Sequence, residues 1–497
     1  MSKIAIIGAG FSGLSAAAYL SAAGHEVHVF EKNAETGGRA RQLQTGNGYV
    51  FDMGPSWYWM PGVFEKFFND FDLTVAEMYK LTLLDPSFDI VFGENDTMHI
   101  PADFSNLCDL FESLETGSSS NLKKFLEEAK YKYKTGIENL VYKPGLSIAE
   151  FADIDLVKGA FRLQVFSSFS KHVRKYFSHP KLIALMEFPV LFLGAMPEDT
   201  PALYSLMNYA GLKLGTWYPE GGFGAVVNAM TKLAQSNGAI IHLNAVVERI
   251  EVKNNMVEGI IVNGTRFECD AVIAAADYHH VEKELLQLKD RNYTEDYWEK
   301  KTLAPSCLIF FIGVNKKIDL LNHHSLFFDE DIALHSKEIY KDPQWPSKPL
   351  FYVCCSSKSD PVAAPPGHEN LFVLMPIAPG LNDNEEIRLK YFGIMMDRLQ
   401  KQTGEDLLSH VDYKKSYCIN DFIADYNSYK GNAYGLANTL KQTALLKPKI
   451  RNKKVRNLFY AGQFTVPGPG VPPSIISGKV AAGQLMKYLK KVHEVVV

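Results

Sequence analysis

The stretch Lys3-Ile4-Ala5-Ile6-Ile7-Gly8-Ala9-Gly10-Phe11-Ser12-Gly13 constrains this 497-residue chain more than any other. The apolar run Ile4 to Ile7 reads as a buried parallel strand, and the alanine-rich Leu14 to Leu20 as the helix after it. Between them Gly8 permits a tight turn, Gly10 lets the backbone approach a pyrophosphate, and Gly13 lets helix pack closely on strand. The first helical turn, with Phe11 and Ser12, then faces the phosphates. A second apolar run, Val27 to Phe30, ends at Glu31, where a dinucleotide-binding unit places an acid for the adenosine ribose hydroxyls, with Lys32 beside it. A lone Gly-x-Gly-x-x-Gly is a weak signal. Strand, helix, second strand and terminal acid in register make it specific.

Length and composition bound the rest. A chain of 497 residues holds two or three domains with a sizeable core, and a net charge of -4 with both signs mixed gives no reason to expect a nucleic-acid ligand. The six cysteines, Cys108, Cys269, Cys307, Cys354, Cys355 and Cys418, show neither metal-ligand nor redox spacing and read as small apolar residues of a reducing compartment. The N-terminal apolar stretch is a glycine-punctuated strand and helix without a cleavage pattern. The run Leu185 to Met196 contains Glu187 and Pro189 and is too short to span a bilayer. A cytoplasmic protein without a transmembrane helix is expected.

Along the chain, Phe51-Asp52-Met53-Gly54-Pro55-Ser56-Trp57 reads as a strand breaking into a turn that can lay backbone against a flat ring. Residues 81 to 100 read as strands around a Gly93-Glu94-Asn95-Asp96 turn, opening a second sheet, and residues 118 to 214 as a helical insertion. Within the insertion, Phe161, Val165, Phe166, Phe169, Val173, Tyr176 and Phe177 share one helical face, while Lys171, Arg174 and Lys175 fall opposite. Such a helix lies either against the core or in a membrane surface. Arg162 projects from the apolar face, so it snorkels or meets a buried anion. Ser147 and Glu150 have capping-box spacing, and Glu150 is also an acid at the entrance to an apolar segment. After Thr216-Trp217-Tyr218-Pro219 comes an alanine-rich helix from Ala225 to Gln235, then a strand near Ile240 and a meander from Val247 to Ala276 with turns at Asn254-Asn255 and Asn263-Gly264. Further strands (Cys307 to Val314, Leu350 to Cys355, Leu371 to Pro376) and a helix from Glu385 to Lys401 lead to a closing strand that ends at Gly462-Gln463. A proline-rich turn and a last helix to about Lys490 follow, opening near Pro472 and Ser474.

Gly37-Gly38-Arg39 resembles the element of FAD-dependent amine oxidases and carotenoid desaturases that runs along the cofactor, with Arg39 offering a guanidinium to its pyrophosphate. Phe-Asp-x-Gly-Pro, Gly215-Thr216-Trp217-Tyr218-Pro219-x-Gly221-Gly222, Ala276-Asp277-Tyr278, Gly431-Asn432-Ala433-Tyr434-Gly435-Leu436-Ala437 and the segment Gly462 to Pro472 are similar, in order and spacing, to motifs of bacterial phytoene desaturase-type carotenoid desaturases. Pro469 and Pro472-Pro473 stand where many relatives have alanine or glycine. The resemblance spans essentially the whole chain. It implies an α/β protein: a discontinuous Rossmann-like FAD-binding domain (1–80, 215–290 and 452–497), a mixed-sheet substrate domain (81–117 and 291–451) and a membrane-facing helical insertion (118–214).

The resemblance also implies FAD as cofactor, a lipid-soluble C40 polyene as substrate, a membrane surface as partner, and quinone or oxygen as electron acceptor. It adds Pro55, Ser56 and Trp57, Val246 and Val247 near the adenine, Asp277, Gly462, Gln463, Gly470, Val471 and Pro472 to the cofactor-binding residues. Removal of hydride from an allylic carbon leaves a conjugated cation that a weak base completes, so Glu150 and Arg162 are the polar candidates and no dense constellation is expected. A flavin amine oxidase, another carotenoid oxidoreductase and a redox-inactive carotenoid carrier are the alternatives.

Overall fold

The computed structural model describes residues 1–147, 150, 164, 167–439 and 442–496. β1 (Lys3–Ile7), α1 (Phe11–Ala22) and β2 (Glu26–Phe30) form the expected unit, with β1 and β2 parallel in the register Ile4–Val27 to Ile7–Phe30. Ile4, Ala5 and Ile6 are fully buried because this sheet is covered on both faces, which is why its strands read as apolar runs without alternation. The parallel sheet has the order Ile240–His242, β2, β1, Ala271–Ala274, Leu458–Tyr460. Three distant stretches of chain therefore build one sheet. The meander Val247–Lys253, Met256–Val262 and Thr265–Glu268 turns through Asn254, Asn255 and Asn263, all at positive φ, where a short amide side chain is tolerated.

Helix α1 carries small residues, Ser12, Gly13, Ser15 and Ala16 to Ala18, where it is enclosed. Ser15 Oγ donates to the Ile475 carbonyl at 2.7 Å, and a Cβ on Gly478 would stand 2.3 Å from the Ser12 carbonyl oxygen. The last helix, Val471–Val496, thus crosses α1 in near backbone contact and seals the outer face of the sheet.

The second sheet has seven strands, in the order Val411–Tyr417, Ser306–Val314, Glu369–Ile377, Phe351–Cys354, His324–Phe327, Phe88–Gly93, Asp96–Ile100. All neighbours are antiparallel except the parallel pair of His324–Phe327 with Phe88–Gly93. The strand Leu81–Leu83 departs from the expectation of one continuous sheet, since it pairs with Trp217–Pro219.

The helices Ser118–Tyr133, Phe169–Val173, Pro180–Glu187 and Leu206–Leu212 pack on one another as a helical layer. The amphipathic face expected over 161–177 is core-facing where it is described. Phe169 and Val173 are fully buried, and Phe177 packs edge-on to Phe111 with ring centroids 5.5 Å apart. Lys171 and Lys175 are exposed, but Arg174 is held by Glu187 and Ser170. These apolar side chains are already in contact with protein and have no face left for lipid, so the expected membrane-facing character of this insertion has no support. Among the described residues no helix is long and apolar enough to cross a membrane. Phe161, Arg162, Val165 and Phe166 lie outside the described residues.

Candidate functional site

A cleft of about 1600 Å³, its mouth included, runs along the carboxyl ends of the parallel strands, where open α/β sheets bind ligands. β1 delivers Gly8, whose N–H donates to the Phe30 carbonyl at 2.8 Å with φ +100°, a conformation that favours glycine. Gly10 precedes α1 and opens on the cleft, since a Cβ there would meet only Gly38 Cα, at 3.9 Å. No side chain caps α1, so its first amides, at Phe11 and Ser12, are available to an anion. Gly13 lies behind this surface: a Cβ on it would come within 1.9 Å of the Gly8 carbonyl oxygen.

Glu31 directly follows β2 and is almost fully buried, 5 % exposed. One carboxylate oxygen accepts the Ala9 N–H at 2.9 Å, and the other accepts the N–H and side-chain amide of Asn33 at 3.0 and 2.9 Å. It is thus a preset acceptor with lone pairs still facing the cleft. Lys32 spans to the opposite wall, donating to the Ala424 carbonyl at 2.6 Å and Asn427 Oδ1 at 3.2 Å, and burial pushes its pKa down. Val246 and Val247 flank this end.

Gly37 and Gly38, at φ +110° and +56°, bring Arg39 round to the middle of the cleft. Arg39 Nη2 donates to Ser428 Oγ at 3.2 Å and the Asn432 carbonyl at 3.3 Å, with the guanidinium 4.9 Å from the Tyr426 ring centre, while its Nε is buried without a partner. Desolvation lowers the Arg39 pKa, and the nearby Asp277 carboxylate opposes that shift. Asp277 itself is raised by burial and lowered by Arg39; its carboxylate accepts the His280 and Tyr429 N–H groups. A part-buried cation that lines a cleft beside an uncapped helix end can take a phosphate oxygen.

The far end of the cleft is apolar, walled by Met53, Pro55, Cys307, Ile309, Leu374, Tyr434 and Val471. Gly54 lies so close to Arg39 that a Cβ would stand 2.5 Å from its carbonyl oxygen. Gly462, whose N–H donates to Ser477 Oγ at 3.0 Å, and Gln463, which donates to Asn432 Oδ1 at 3.3 Å, enter from the last strand, and Gly470 from the start of the last helix. That helix begins at Val471, earlier than expected, and Pro472 and Pro473 in its first turn carry no N–H. The Ser474 amide is used by the Gly470 carbonyl at 3.0 Å, so Val471 supplies the N–H of this end that lacks an intrahelical partner.

Ser56, Trp57 and Pro472 do not line the cleft. After Pro55 the chain turns away into the second sheet: Ser56 Oγ is 2.9 Å from Tyr352 Oη, and Trp57 stacks on His324 with centroids 4.3 Å apart. Glu150 is not brought to the cleft either. Its carboxylate accepts the N–H groups of Gly145, Leu146 and Ser147 at 2.9, 2.9 and 3.1 Å, a loop-holding role consistent with the capping spacing. Sequence reasoning did not reach Tyr426, Asn427 and His280 in the cleft wall. The first two carry no motif, whereas Ala433 and Tyr434 sit in the Gly431–Ala437 motif and could have been placed by it.

The cleft thus joins anion-ready groups, at Gly10, Phe11, Ser12 and Arg39, to an apolar wall, the features of a site for an extended dinucleotide ending in a flat ring. The family model described as flavin containing amine oxidoreductase matches residues 11–486. The chain is similar to the carotenoid 3,4-desaturase of Haloarcula japonica, 40% identical over 485 residues that cover 97% of this chain and 98% of that one. It is similar also to the zeta-carotene-forming phytoene desaturase of Myxococcus xanthus, 28% identical over 494 residues and 98% and 94% of the two chains. Among solved structures, a redesigned putrescine oxidase shares the fold with a TM-score of 0.64 at 14% identity, covering 98% of this chain and 99% of its own.

Proposed function

Because the chain belongs to the flavin containing amine oxidoreductase family and, within it, to the carotenoid desaturases, we propose that it introduces carbon-carbon double bonds into a C40 polyene such as phytoene, with FAD as cofactor. The observation that carries this reading is the full-length similarity to a carotenoid 3,4-desaturase, laid over a cleft whose far end is apolar. FAD supplies the hydride acceptor.

The residues of the cleft suit such a cofactor. Glu31 is set to accept from the adenosine ribose hydroxyls, with Val246 and Val247 against the adenine and Lys32 closing that end. The Gly10 backbone, the amides of Phe11 and Ser12, and Arg39 would hold the pyrophosphate, and Gly8, Gly38, Asp277, Gly462 and Gln463 would shape its path. Pro55, Gly470 and Val471 border the space for the flat ring. The 1–80, 215–290 and 452–497 segments act as the cofactor domain, and 81–117 with 291–451 as the substrate domain. Around the reacting carbons the chain contributes alignment and exclusion of water, and proton loss next to an allylic cation asks only for a weak base.

A substrate that dissolves only in lipid has to be met at a membrane surface, so peripheral association, on the cytoplasmic side, belongs to the proposal, as does reoxidation by quinone or oxygen. In the 169–177 segment Lys171, Arg174 and Lys175 are exposed, and Arg174 is already paired with Glu187, which leaves the two lysines for a headgroup. Each would contribute about 1 kcal/mol at an anionic surface. Changing both to glutamate is expected to weaken salt-sensitive flotation with anionic liposomes; flotation left intact would remove this segment as the contact.

Gly470 tests the ring end. Its φ of +113° and the 3.3 Å approach of a Cβ to Pro473 make a β-branched residue strained there. Gly470→Val is expected to lower the flavin midpoint potential and slow its reduction by carotenoid while FAD stays bound, because the Val471 amide and the helix dipole move away from the reduced ring. Potentiometry on the purified variant is the check, and an unchanged potential would separate this turn from the ring. The function itself is tested by incubating FAD-loaded protein with phytoene-containing liposomes and an electron acceptor. Stepwise displacement of the polyene absorption to longer wavelength is expected, and turnover confined to amines would overturn the proposal.

A further inference from the structure

Among the described residues, one side-chain group outside the cleft has the composition of a metal centre. His323, His324 and Cys354 are 4 %, 0 % and 6 % exposed, and one ligand atom of each lies within 4.8 Å of the other two. Sheet register brings them together. His324 is paired directly with Cys354 across the antiparallel strands His324–Phe327 and Phe351–Cys354, which puts both side chains on one face. His323, one residue earlier, is fixed by the Cys355 N–H, which donates to its carbonyl at 2.8 Å.

The hydrogen bonds of the two imidazoles point the same way. His324 Nδ1 is bonded to Tyr352 Oη at 2.6 Å and His323 Nδ1 to Ser359 Oγ at 2.8 Å. Both Nε2 atoms are buried and have no partner. A metal-binding histidine is oriented through its second ring nitrogen in this manner, with the other left for the ion. Without an ion, each unpaired buried nitrogen has given up its bond to water and gained nothing in return.

We propose that His323, His324 and Cys354 form a buried N2S site for a soft closed-shell cation, zinc(II) or copper(I). Imidazole and thiolate together select such ions over magnesium or calcium. With metal–sulfur and metal–nitrogen bonds of about 2.3 and 2.0–2.1 Å, the ligand atoms would stand about 3.5–3.8 Å apart, inside the 4.8 Å within which all three already lie. Coordination replaces the Cys354 thiol proton, which leaves to solvent, so affinity rises with pH. The site also has a structural consequence. Trp57 stacks on the His324 ring, and Tyr352 Oη, which orients His324, is shared with Ser56 Oγ. An ion here would pin the segment that follows Pro55, itself part of the cleft wall. The inference does not depend on the desaturase reading.

The test is metal content. Protein purified with its flavin, loaded with zinc(II) or, anaerobically, copper(I), and gel-filtered is expected to retain about one ion per chain. X-ray absorption should show a mixed nitrogen and sulfur shell. Cys354→Ser and His323→Gln are each expected to reduce retention at least roughly tenfold while flavin remains bound. Wild-type protein that retains no ion above the Cys354→Ser level, or variants that retain as much as wild type, would overturn the proposal. Should either variant fail to fold, the wild-type absorption spectrum decides: a shell without sulfur counts against the site.

Discussion

Gly10→Val is expected to give a folded, colourless protein, and Gly13→Ala a protein that does not fold stably. The two glycines are three residues apart in one motif and do different things. At Gly10 φ is -76°, which any residue adopts, and a Cβ has only Gly38 Cα within 4 Å. The valine methyls therefore enter the cleft at the cost of the pyrophosphate alone, and FAD affinity should fall by at least about 100-fold, near 2.8 kcal/mol. At Gly13 the added carbon meets the Gly8 carbonyl oxygen at 1.9 Å, backbone against backbone, where nothing can rotate aside. Forcing helix from strand should exceed the usual overpacking loss of about 1–3 kcal/mol, a large part of a total stability of about 5–15 kcal/mol. Flavin content and thermal unfolding on the same preparations are the check. A yellow, stoichiometric Gly10→Val protein would remove the phosphate assignment.

Arg39→Met is expected to leave the fold in place and weaken FAD binding by about 10- to 100-fold, the worth of a charge-assisted hydrogen bond of about 1.5–3 kcal/mol. Nη2 of the guanidinium already has Ser428 and the Asn432 carbonyl as partners, both uncharged, so its positive charge is left for an anion in the cleft. Arg39→Lys should recover part of the loss, because charge remains while the planar fork is gone. The comparison is read by titrating apoprotein with FAD at two salt concentrations. Equal affinity in wild type and Arg39→Met would mean that Arg39 serves the Tyr426 and Asp277 side of the wall alone.

The parts of this molecule that could be read from sequence are those in which function is written in local spacing. Gly8, Gly10, Glu31 and Arg39 lie within 32 residues, and a strand, a helix and a strand of ordinary length suffice to bring them to one cleft. Val246, Gly462 and Gly470 reach the same cleft from far along the chain; they were legible through the order of motifs, since spacing alone does not predict a crossover. Trp57 was not, because the turn after Pro55 is set by its contact with His324 and Tyr352, strands that arrive some 270 residues later in the chain. Helical periodicity at Phe169, Val173 and Phe177 gave an apolar face without saying what covers it, and Phe111 and Phe125 do. The pairing of His324 with Cys354 is likewise a matter of sheet register, invisible to a search for ligand spacing.

The most direct measurement of the central claim is a single anaerobic turnover. FAD-loaded protein mixed with liposomes carrying phytoene or its partly desaturated products should lose its oxidised flavin absorption in step with formation of one new conjugated double bond per flavin. Flavin that stays oxidised with every carotenoid but is bleached by a diamine would contradict the account and reassign the apolar end of the cleft to amine oxidation.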